Sequence, residues 1–183
     1  MSPREVFLAL VHGVAEGRWE ELPDLYAEHT HVVHPFDPLR APALRTRDEL
    51  REHFRPTGAG PRLHRWPDGI TIHDTTDPEV IVAEFAYRGT VAGTGEPFAL
   101  PGIFVLRVRD GRIVESRDYF DHVTAARIRG RLDDLVAAVR AATQPATQPA
   151  VQAAVQPAVQ PAVQAAVQAG GEDSGPGSSR AVA

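Results

Sequence analysis

Apolar residues near the start of the chain recur every three to four positions. This spacing predicts an amphipathic helix whose core-facing residues are Val6, Phe7, Leu10, Val11 and Val14. Residues 2–5 form a capping box with proline at the first helical position, and Gly17 ends the helix. Residues 19–26 predict a short second helix. A second capping box at residues 46–49 starts a helix through Phe54, and residues 124–141 predict a last helix.

Between these helices the pattern alternates with the two-residue period of strands. The strand candidates are residues 30–36, 63–66, 70–73, 80–91, 98–109 and 113–120. Asp110-Gly111 separates the last two candidates, and this dipeptide strongly favours a two-residue hairpin turn. Helices followed by hairpin-linked strands predict an α+β fold, with helices packed on one face of a curved antiparallel sheet.

The last predicted strand carries a single carboxylate on an otherwise apolar-lined face. By strand parity that face holds Val114, Ser116, Asp118 and Phe120. Burial disfavours the charged form of a carboxyl group, which raises its pKa and suits it to proton transfer near neutral pH. Asp118 is therefore the main catalytic candidate. The alternative is that it only hydrogen-bonds neighbouring groups and anchors the strand end.

Charged residues of both signs occupy the opposite face of the long strands. They are Glu84, Arg88, Arg107, Arg109, Glu115 and Arg117. Cross-strand pairing of opposite charges predicts a solvated outer surface. Because Tyr119 and Val105 share this face, part of it is alternatively a dimer interface.

Composition narrows the class of protein further. The chain has no cysteine, which excludes disulfides and thiolate metal sites, and its net charge is −5. Its basic residues are all arginine and are scattered, so no nucleic-acid partner is expected. The apolar run at residues 6–11 is too short to span a membrane, and no signal-peptide cleavage pattern follows it. We therefore expect a cytoplasmic protein that does not bind membranes.

Residues 143–183 differ from the rest of the chain. Glutamine recurs at every fourth position from 144 to 168, with prolines at 145, 149, 157 and 161, and the last residues are rich in glycine and serine. A segment with so few large apolar residues cannot form a core. We expect one domain at residues 1–142 and a disordered tail at 143–183, which either has no function of its own or docks a partner.

Three segments and the order of elements resemble a known family. The segments are Gly102-x-Phe104, Asp110-Gly111-Arg112-Ile113 and Arg117-Asp118-Tyr119-Phe120-Asp121. They resemble the SnoaL-like polyketide cyclase family, within the superfamily of nuclear transport factor 2, ketosteroid isomerase and limonene epoxide hydrolase. The resemblance covers about residues 3–140. It implies a cone-shaped curved sheet with N-terminal helices on one face, enclosing a pocket. It also implies a homodimer and acid–base chemistry on a hydrophobic substrate, without metal or cofactor.

The resemblance also suggests a role for Asp118. Asp118 matches the first aspartate of an Asp-Tyr-Phe-Asp motif that helps to activate water in limonene epoxide hydrolase. That hydrolase also needs an arginine and a second aspartate, whose places here are taken by Ala83 and Phe85. An epoxide hydrolase with that triad is therefore not expected.

Two further residues are candidates for chemistry. The match to the family places His34 near the pocket, where a neutral imidazole could share a proton with Asp118 or hold a substrate oxygen. His34 is alternatively only a strand-end histidine. Tyr87 lies inward by parity with Phe85, so it either donates a hydrogen bond to a carbonyl or only packs.

The remaining site expectations concern the lining of the pocket and metal binding. The aromatic residues expected in the pocket are Phe36, Trp66, Phe85, Phe104 and Phe120, and the expected rim groups are Asp37 and His64. Strand spacing puts His29 and His31 on one face and His34 on the other, which disfavours a metal site.

Together these features predict a cofactor-independent acid/base enzyme of isomerase, cyclase or hydrolase type. Its substrate would be a small hydrophobic carbonyl compound such as a polyketide. The alternative is a non-catalytic module of the same fold that binds a small ligand or dimerises.

Overall fold

A six-stranded sheet is the framework of the fold in the computed structural model, which describes residues 1–56 and 61–143. Its strands are β1 (Tyr26–Val33), β2 (Leu44–Thr46), β3 (Leu63–Asp74), β4 (Val80–Val91), β5 (Pro97–Arg109) and β6 (Arg112–Phe120). Their order across the sheet is β2-β1-β6-β5-β4-β3. The four long strands β3 to β6 form the predicted antiparallel meander.

The helices are α1 (Pro3–Glu16), α2 (Arg47–Phe54), α3 (His122–Ile128) and α4 (Leu132–Thr143). Both predicted capping boxes form, at Ser2 before α1 and at Thr46 before α2. The five apolar residues predicted for α1 are all buried. Thr143 closes α4, and the rest of the predicted tail lies outside the described residues.

The α+β class is confirmed, and the structure adds one parallel pairing to the antiparallel sheet. Strand β1 runs parallel to β6, with Val32 beside Ser116 and Val33 beside Arg117. Parallel neighbours need a long connection, and here β2, α2 and strands β3 to β5 lie between the two strands in sequence. This pairing brings the end of β1 next to Asp118.

Three predicted elements differ in detail. Residues 19–26 form only a 3₁₀ turn at Leu22–Leu25, because Tyr26 already pairs with Ile113 of β6. The two strand candidates at 63–66 and 70–73 are one strand, β3, whose register shifts between Asp68 and Thr71. The single predicted C-terminal helix is two helices, because Gly130 adopts a left-handed backbone conformation with φ 64°.

The hairpin turn forms as predicted, but the strand after it contains a bulge. Asp110 and Gly111 both have positive φ, 51° and 73°, as a type I′ turn requires. Arg107 pairs with Glu115 whereas Val108 pairs with Ile113, so one extra residue lies in β6. Ile113 therefore takes the fully buried inward position, and the expectation that Val114 shares the face of Asp118 is wrong.

The inner face of the sheet carries the core. Phe7 of α1 packs edge-on against Phe85 and Phe104, and Phe104 packs edge-on against Phe120 at a centroid distance of 5.2 Å. The outer face carries predicted cross-strand ion pairs, including Arg107 with Glu115 at 3.4 Å. Within residues 1–56 and 61–143, no helix is both long and apolar enough to cross a membrane.

Candidate active site

A cavity of about 250 Å³ lies between the inner face of the sheet, α1, α2 and the loop that joins β1 to β2. Most of its wall is apolar, including Leu10, Val32, Leu44, Leu50, Phe104 and Phe120. The polar groups that line it are Tyr26, His34, Asp37, Arg40, His53, Tyr87, Asp118 and His122. A partly open, mainly apolar cavity with converging polar groups is typical of a small-molecule site.

Asp118 reaches this cavity because of its position in the sheet. It lies opposite Phe104 of β5, which in turn lies opposite Ala83 of β4, so the row across the sheet is otherwise apolar. The side chain is buried and accepts a hydrogen bond from the Ser116 hydroxyl at Oδ1. Burial raises the pKa of Asp118 to about 7, and the hydrogen bond from Ser116 opposes this rise. Asp118 can therefore gain or lose a proton near neutral pH.

His34 lies beside Asp118 because it follows the parallel pairing of Val33 with Arg117. Its Nε2 atom is 3.9 Å from Asp118 Oδ2, which is too long for a direct hydrogen bond. Burial is the main cause that lowers the pKa of His34 to about 4. The neighbouring His122 also lowers this pKa, while Asp37 raises it. The imidazole is therefore neutral near pH 7, and one ligand atom or water could bridge it to the carboxyl group.

Two further histidines that the sequence analysis missed also line the cavity. The ring of His53 stacks on His34 with centroids 5.5 Å apart, and burial lowers the pKa of His53 to about 3. His53 follows Leu50 by three positions and precedes Phe54 by one, so the helical spacing of α2 carried a signal for it. His122 follows the inward Phe120 by two positions, so continued strand parity would have pointed to it.

The two tyrosines of the cavity have different roles from those expected. The Tyr87 hydroxyl donates to the Val11 carbonyl of α1 at 3.3 Å, so its proton is not available for a substrate carbonyl. Tyr26, which the sequence analysis did not single out, also lines the cavity. Burial, and then the nearby Asp118 carboxylate, raises the pKa of Tyr26 well above its usual value. The Asp118 carboxylate also raises the pKa of Tyr87, so both tyrosines lie near it.

Asp37 shapes the loop over the cavity. Its two carboxylate oxygens accept the backbone N–H groups of Leu39 and Ala41, each at 2.9 Å. Between these residues, Arg40 adopts a positive φ of 54° and lies at the wall of the cavity. An aspartate that bonds its own following backbone favours such a turn. Asp37 thus holds the loop and does not act as a free rim group.

The expected aromatic residues divide into three sets. Phe104 and Phe120 line the cavity, whereas Phe85 lies behind them in the core. Phe36 is 69% exposed and packs edge-on against Tyr119, so its expected place in the pocket is wrong. Trp66 is 51% exposed on β3 and also lies outside the cavity.

The position of Trp66 has a physical reason. Leu63 and Arg65 are the buried residues at this end of β3, so Trp66 points the other way by strand parity. Arg65 is buried because its guanidinium donates to the Val14 carbonyl at 2.8 Å and lies 5.2 Å from the centre of the Trp19 ring. His64, an expected rim group, is exposed on the same strand and lies outside the cavity.

The clustered histidines raise the question of a metal. Within residues 1–56 and 61–143, no group of three or more His, Cys, Asp or Glu side chains has an arrangement that could hold a metal ion. The polar groups are instead spread over β1, the loop that joins β1 to β2, α2, β4, β6 and the start of α3. This arrangement suits proton transfer and hydrogen bonding to an organic ligand.

Comparison with known proteins identifies the family. The model of the SnoaL-like domain matches residues 7–116, more than half of the chain, so the chain belongs to the SnoaL-like family. It is 26% identical over 128 residues to an uncharacterised PhzA/B-like protein of Pseudomonas aeruginosa, covering 66% of this chain and 85% of that one. It is 41% identical over 51 residues to the uncharacterised Bacillus subtilis protein YesE, covering 28% of this chain. That match spans only 35% of YesE, about a third of its length.

Solved structures support the same fold. A candidate isomerase from Bacillus subtilis has a TM-score of 0.61 at 23% identity, covering 70% of this chain and 92% of that one. A ketosteroid isomerase-like protein from Catenulispora acidiphila, bound to trimethylamine, has a TM-score of 0.55 at 20% identity. The match covers 71% of this chain and 95% of that one. A candidate polyketide cyclase from Pseudomonas putida has a TM-score of 0.52 at 15% identity, covering 66% of this chain and 92% of that one. At these identities the likeness shows the fold alone.

Proposed function

We propose that the protein is an acid/base enzyme that moves a proton on a small hydrophobic carbonyl compound, with Asp118 as the catalytic group. The observation that carries this proposal is a buried carboxyl group, with its pKa raised to about 7, in an otherwise mainly apolar cavity. Such a group is divided between its acid and base forms at neutral pH, which suits both halves of a proton transfer. The reaction would be an isomerisation, a cyclisation or a hydrolysis, and it would need no cofactor.

The chemical step follows from this arrangement. The Asp118 carboxylate takes a proton from the carbon beside the carbonyl, and the electron pair of that C–H bond moves onto the carbonyl oxygen as an enolate. The protonated Asp118 then returns the proton to the same or a neighbouring carbon. In a cyclisation the enolate carbon instead attacks a second carbonyl, whose π electron pair moves onto its oxygen, and that oxygen takes the proton back from Asp118. His34, neutral and 3.9 Å from the carboxyl group, is placed to orient the substrate or pass the proton onward.

Proton exchange on a model ketone tests the proposal without knowledge of the natural substrate. 2-Tetralone is a bicyclic ketone of a size suited to this cavity, and its α hydrogens exchange with deuterium when an enolate forms. We expect the full chain in D₂O to accelerate this exchange, followed by NMR, above the rate in buffer. Asp118→Asn should lower the protein-catalysed rate by about 100-fold or more, the usual contribution of a general base.

A matched control uses the same substitution outside the cavity. Asp110 lies in the hairpin turn, where asparagine before glycine is equally favourable, so Asp110→Asn should keep the full exchange rate. Equal rates for Asp118→Asn and the wild-type protein would contradict the assignment of Asp118. Saturable binding of 2-tetralone without exchange would favour the non-catalytic alternative.

The pH dependence of the reaction offers a second measurement. The base form of Asp118 is the one that takes the proton, so kcat/KM should rise with pH through about 7. The hydrogen bond from Ser116 lowers the pKa of Asp118, so Ser116→Ala should move this rise to higher pH. If kcat/KM of Ser116→Ala rises at the same pH as in the wild-type protein, Ser116 does not affect the pKa of the catalytic group. The assignment of Asp118 would then still stand.

The second candidate function is a ligand-binding module without chemistry. Two observations favour it: His34 is beyond direct hydrogen-bond reach of Asp118, and the Tyr87 hydroxyl already donates to Val11. The raised pKa of the Asp118 carboxyl group favours the enzyme. The exchange experiment separates the two candidates.

We also propose that the protein is a homodimer. The apolar side chains of Phe36 and Val123 are exposed to solvent, Phe36 by 69% and Val123 by 57%. They lie beside Ile103 and Tyr119, which point outward from the sheet. A cluster of this kind on a sheet face is typical of a surface that a partner covers. Sedimentation of the wild-type chain should give a dimer, and Ile103→Arg should give a monomer; a monomeric wild-type chain would overturn this proposal. A cytoplasmic location and the absence of a nucleic-acid partner stay predictions.

A further inference from the structure

His122 is a buried polar side chain without a partner at the wall of the cavity. It is 4% exposed, and within the described part of the chain neither Nδ1 nor Nε2 has a hydrogen-bond partner. Three other polar groups of the cavity have hydrogen-bond partners within the protein. Asp118 bonds to Ser116, Tyr87 to Val11, and Asp37 to two backbone N–H groups.

Neither helix formation nor packing explains an imidazole at this position. A buried polar group without a partner destabilises the folded protein, so an apolar residue of similar size would be more stable here. His122 is the first residue of α3, where the cap is already supplied by the Asp121 side chain, which accepts the Thr124 N–H at 2.9 Å. The N-terminal end of a helix does not favour a histidine either. Because the ring lines the cavity while both of its nitrogens are buried, a turn of the ring would bring one nitrogen to a ligand oxygen inside the cavity.

The protonation state of His122 limits what that partner can be. Burial lowers the pKa of His122, while the carboxylates of Asp37 and Asp121 act in the opposite direction. A neutral imidazole has one N–H donor and one nitrogen acceptor. It can donate to a carbonyl oxygen, and it can both donate to and accept from a hydroxyl group. Its hydrogen bonding therefore matches a ketone, an enol or a phenol.

The cavity limits the size of the ligand. An apolar cavity of about 150 Å³ holds a single benzene ring. The volume of about 250 Å³ here therefore suits one ring or two fused rings. The aromatic walls at Phe104 and Phe120 would contact such a ring system.

We propose that His122 binds a carbonyl or hydroxyl oxygen of a one- or two-ring compound held in this cavity. This inference rests on the proposed function for its substrate class, and it adds a ligand-binding residue that is separate from the proton-transferring Asp118. His122 would hold the oxygen on which the enolate charge develops. Asp118 would serve the neighbouring carbon.

Paired ligands test this role by binding alone. Naphthalene and 2-naphthol have the same ring system and differ by one hydroxyl group, which is neutral at pH 7. We expect the wild-type full chain to bind 2-naphthol more tightly than naphthalene, measured by NMR titration. In His122→Leu that preference should fall about threefold to tenfold, while naphthalene affinity changes less than about twofold. His12→Leu, on the exposed face of α1, is the matched control and should keep the preference.

Several results would overturn the proposal. They are an unchanged preference in His122→Leu, an equal loss of affinity for both compounds, or no saturable binding of 2-naphthol to the wild-type chain. If His122→Leu does not fold, the ¹⁵N shifts of the His122 ring in the wild-type chain provide the readout. They should move on addition of 2-naphthol and stay nearly constant with naphthalene, and equal responses to the two compounds would also contradict it.

The same experiment is independent of the proposed chemistry. Asp118→Asn should keep the preference for 2-naphthol, because the hydrogen bond from His122 does not require the carboxylate. Loss of ketone exchange in Asp118→Asn together with an unchanged preference in His122→Leu would support the proposed function and reject this inference. The opposite pair of results would reject the function and support the oxygen-binding role of His122.

Discussion

The cavity and the outer face of the sheet contain similar titratable side chains, but their pKa values move in opposite directions. In the cavity, burial raises the pKa of Asp118 to about 7 and lowers that of His34 to about 4. On the outer face, a hydrogen bond from Arg107 lowers the pKa of Asp77, and one from Arg109 lowers that of Glu79. Desolvation favours neutral forms and ion pairing favours charged forms. The same residue type is therefore suited to proton transfer on one face and fixed in its charged form on the other.

The largest expected effect of this difference is a stabilising substitution in the cavity. Because the folded pKa of Asp118 is raised, the wild-type protein loses stability as pH rises from about 4 to about 7. Asp118→Asn removes this loss while keeping an acceptor for Ser116. We expect the variant to be more stable at pH 8, by up to about 4 kcal/mol for a pKa change from 3.8 to about 7.

Urea unfolding of both proteins at several pH values between 4 and 8 measures this effect. The stability difference should grow between pH 4 and 7 and stay constant above pH 7. A difference that does not change with pH would mean that the carboxyl group ionises normally in the folded protein. Comparing this gain in stability with the turnover of the same variant shows whether Asp118 is needed for activity although it destabilises the folded protein.

The histidines of the cavity should produce the opposite dependence on pH. The folded pKa of His53 is lowered to about 3, so only the unfolded chain takes up this proton as pH falls below 6.5. The wild-type protein therefore loses stability toward acid pH. His53→Phe should reduce this loss by roughly 2 kcal/mol between pH 6.5 and 4.5.

The measurement is the slope of unfolding free energy against pH, because a change of residue also alters packing at every pH. His31→Phe, on the exposed face of β1, controls for the added phenyl ring. An unchanged slope in His53→Phe would show that the folded protein takes up this proton normally.

A third substitution tests how tightly the inner face is packed. A Cβ atom on Gly102 would lie 2.7 Å from the Phe120 ring, which is a wall of the cavity. We expect Gly102→Ala to destabilise the protein by about 1–3 kcal/mol and to weaken 2-naphthol binding, because the ring must move. Thermal unfolding measures the loss.

A double-mutant cycle identifies the source of that loss. Combined with Phe120→Leu, the Gly102→Ala change should cost clearly less than it does alone. Additive losses would place the strain in the backbone of β5 and not in the contact with the ring.

The smallest expected effect is on the outer face. The folded pKa of Asp77 is lowered, so its pairing with Arg107 at 2.7 Å contributes stability above pH 3.8. That contribution disappears as pH falls through the lowered pKa. Asp77→Asn should therefore destabilise slightly at pH 7, with a smaller loss at low pH and in high salt. If Asp77→Asn instead stabilises the protein at pH 7, as we expect of Asp118→Asn, the two faces of the sheet do not differ in this respect.

The candidate site was only partly predictable, and the reasons differ from residue to residue. Parity along β6 was enough for Asp118, and the family resemblance added His34. Helical spacing for His53 and strand parity for His122 indicate inward positions, but an inward position alone does not distinguish a cavity wall from a packed core, so both were missed. Trp66 was expected in the pocket as a large apolar residue, but the buried position belongs to Arg65, whose guanidinium binds the end of α1.

Local physics in the sequence determined the elements of the fold. Capping boxes start α1 and α2, the Asp110-Gly111 dipeptide forms the hairpin turn, and alternation gives the meander, because each depends on neighbours within a few residues. The tertiary structure decided the parallel pairing of β1 with β6 and the bulge that makes Ile113 inward. It also decided the enclosure of Asp118 with three histidines. These features come from contacts between residues far apart in the chain, and the pKa values of the site depend on the burial that those contacts create.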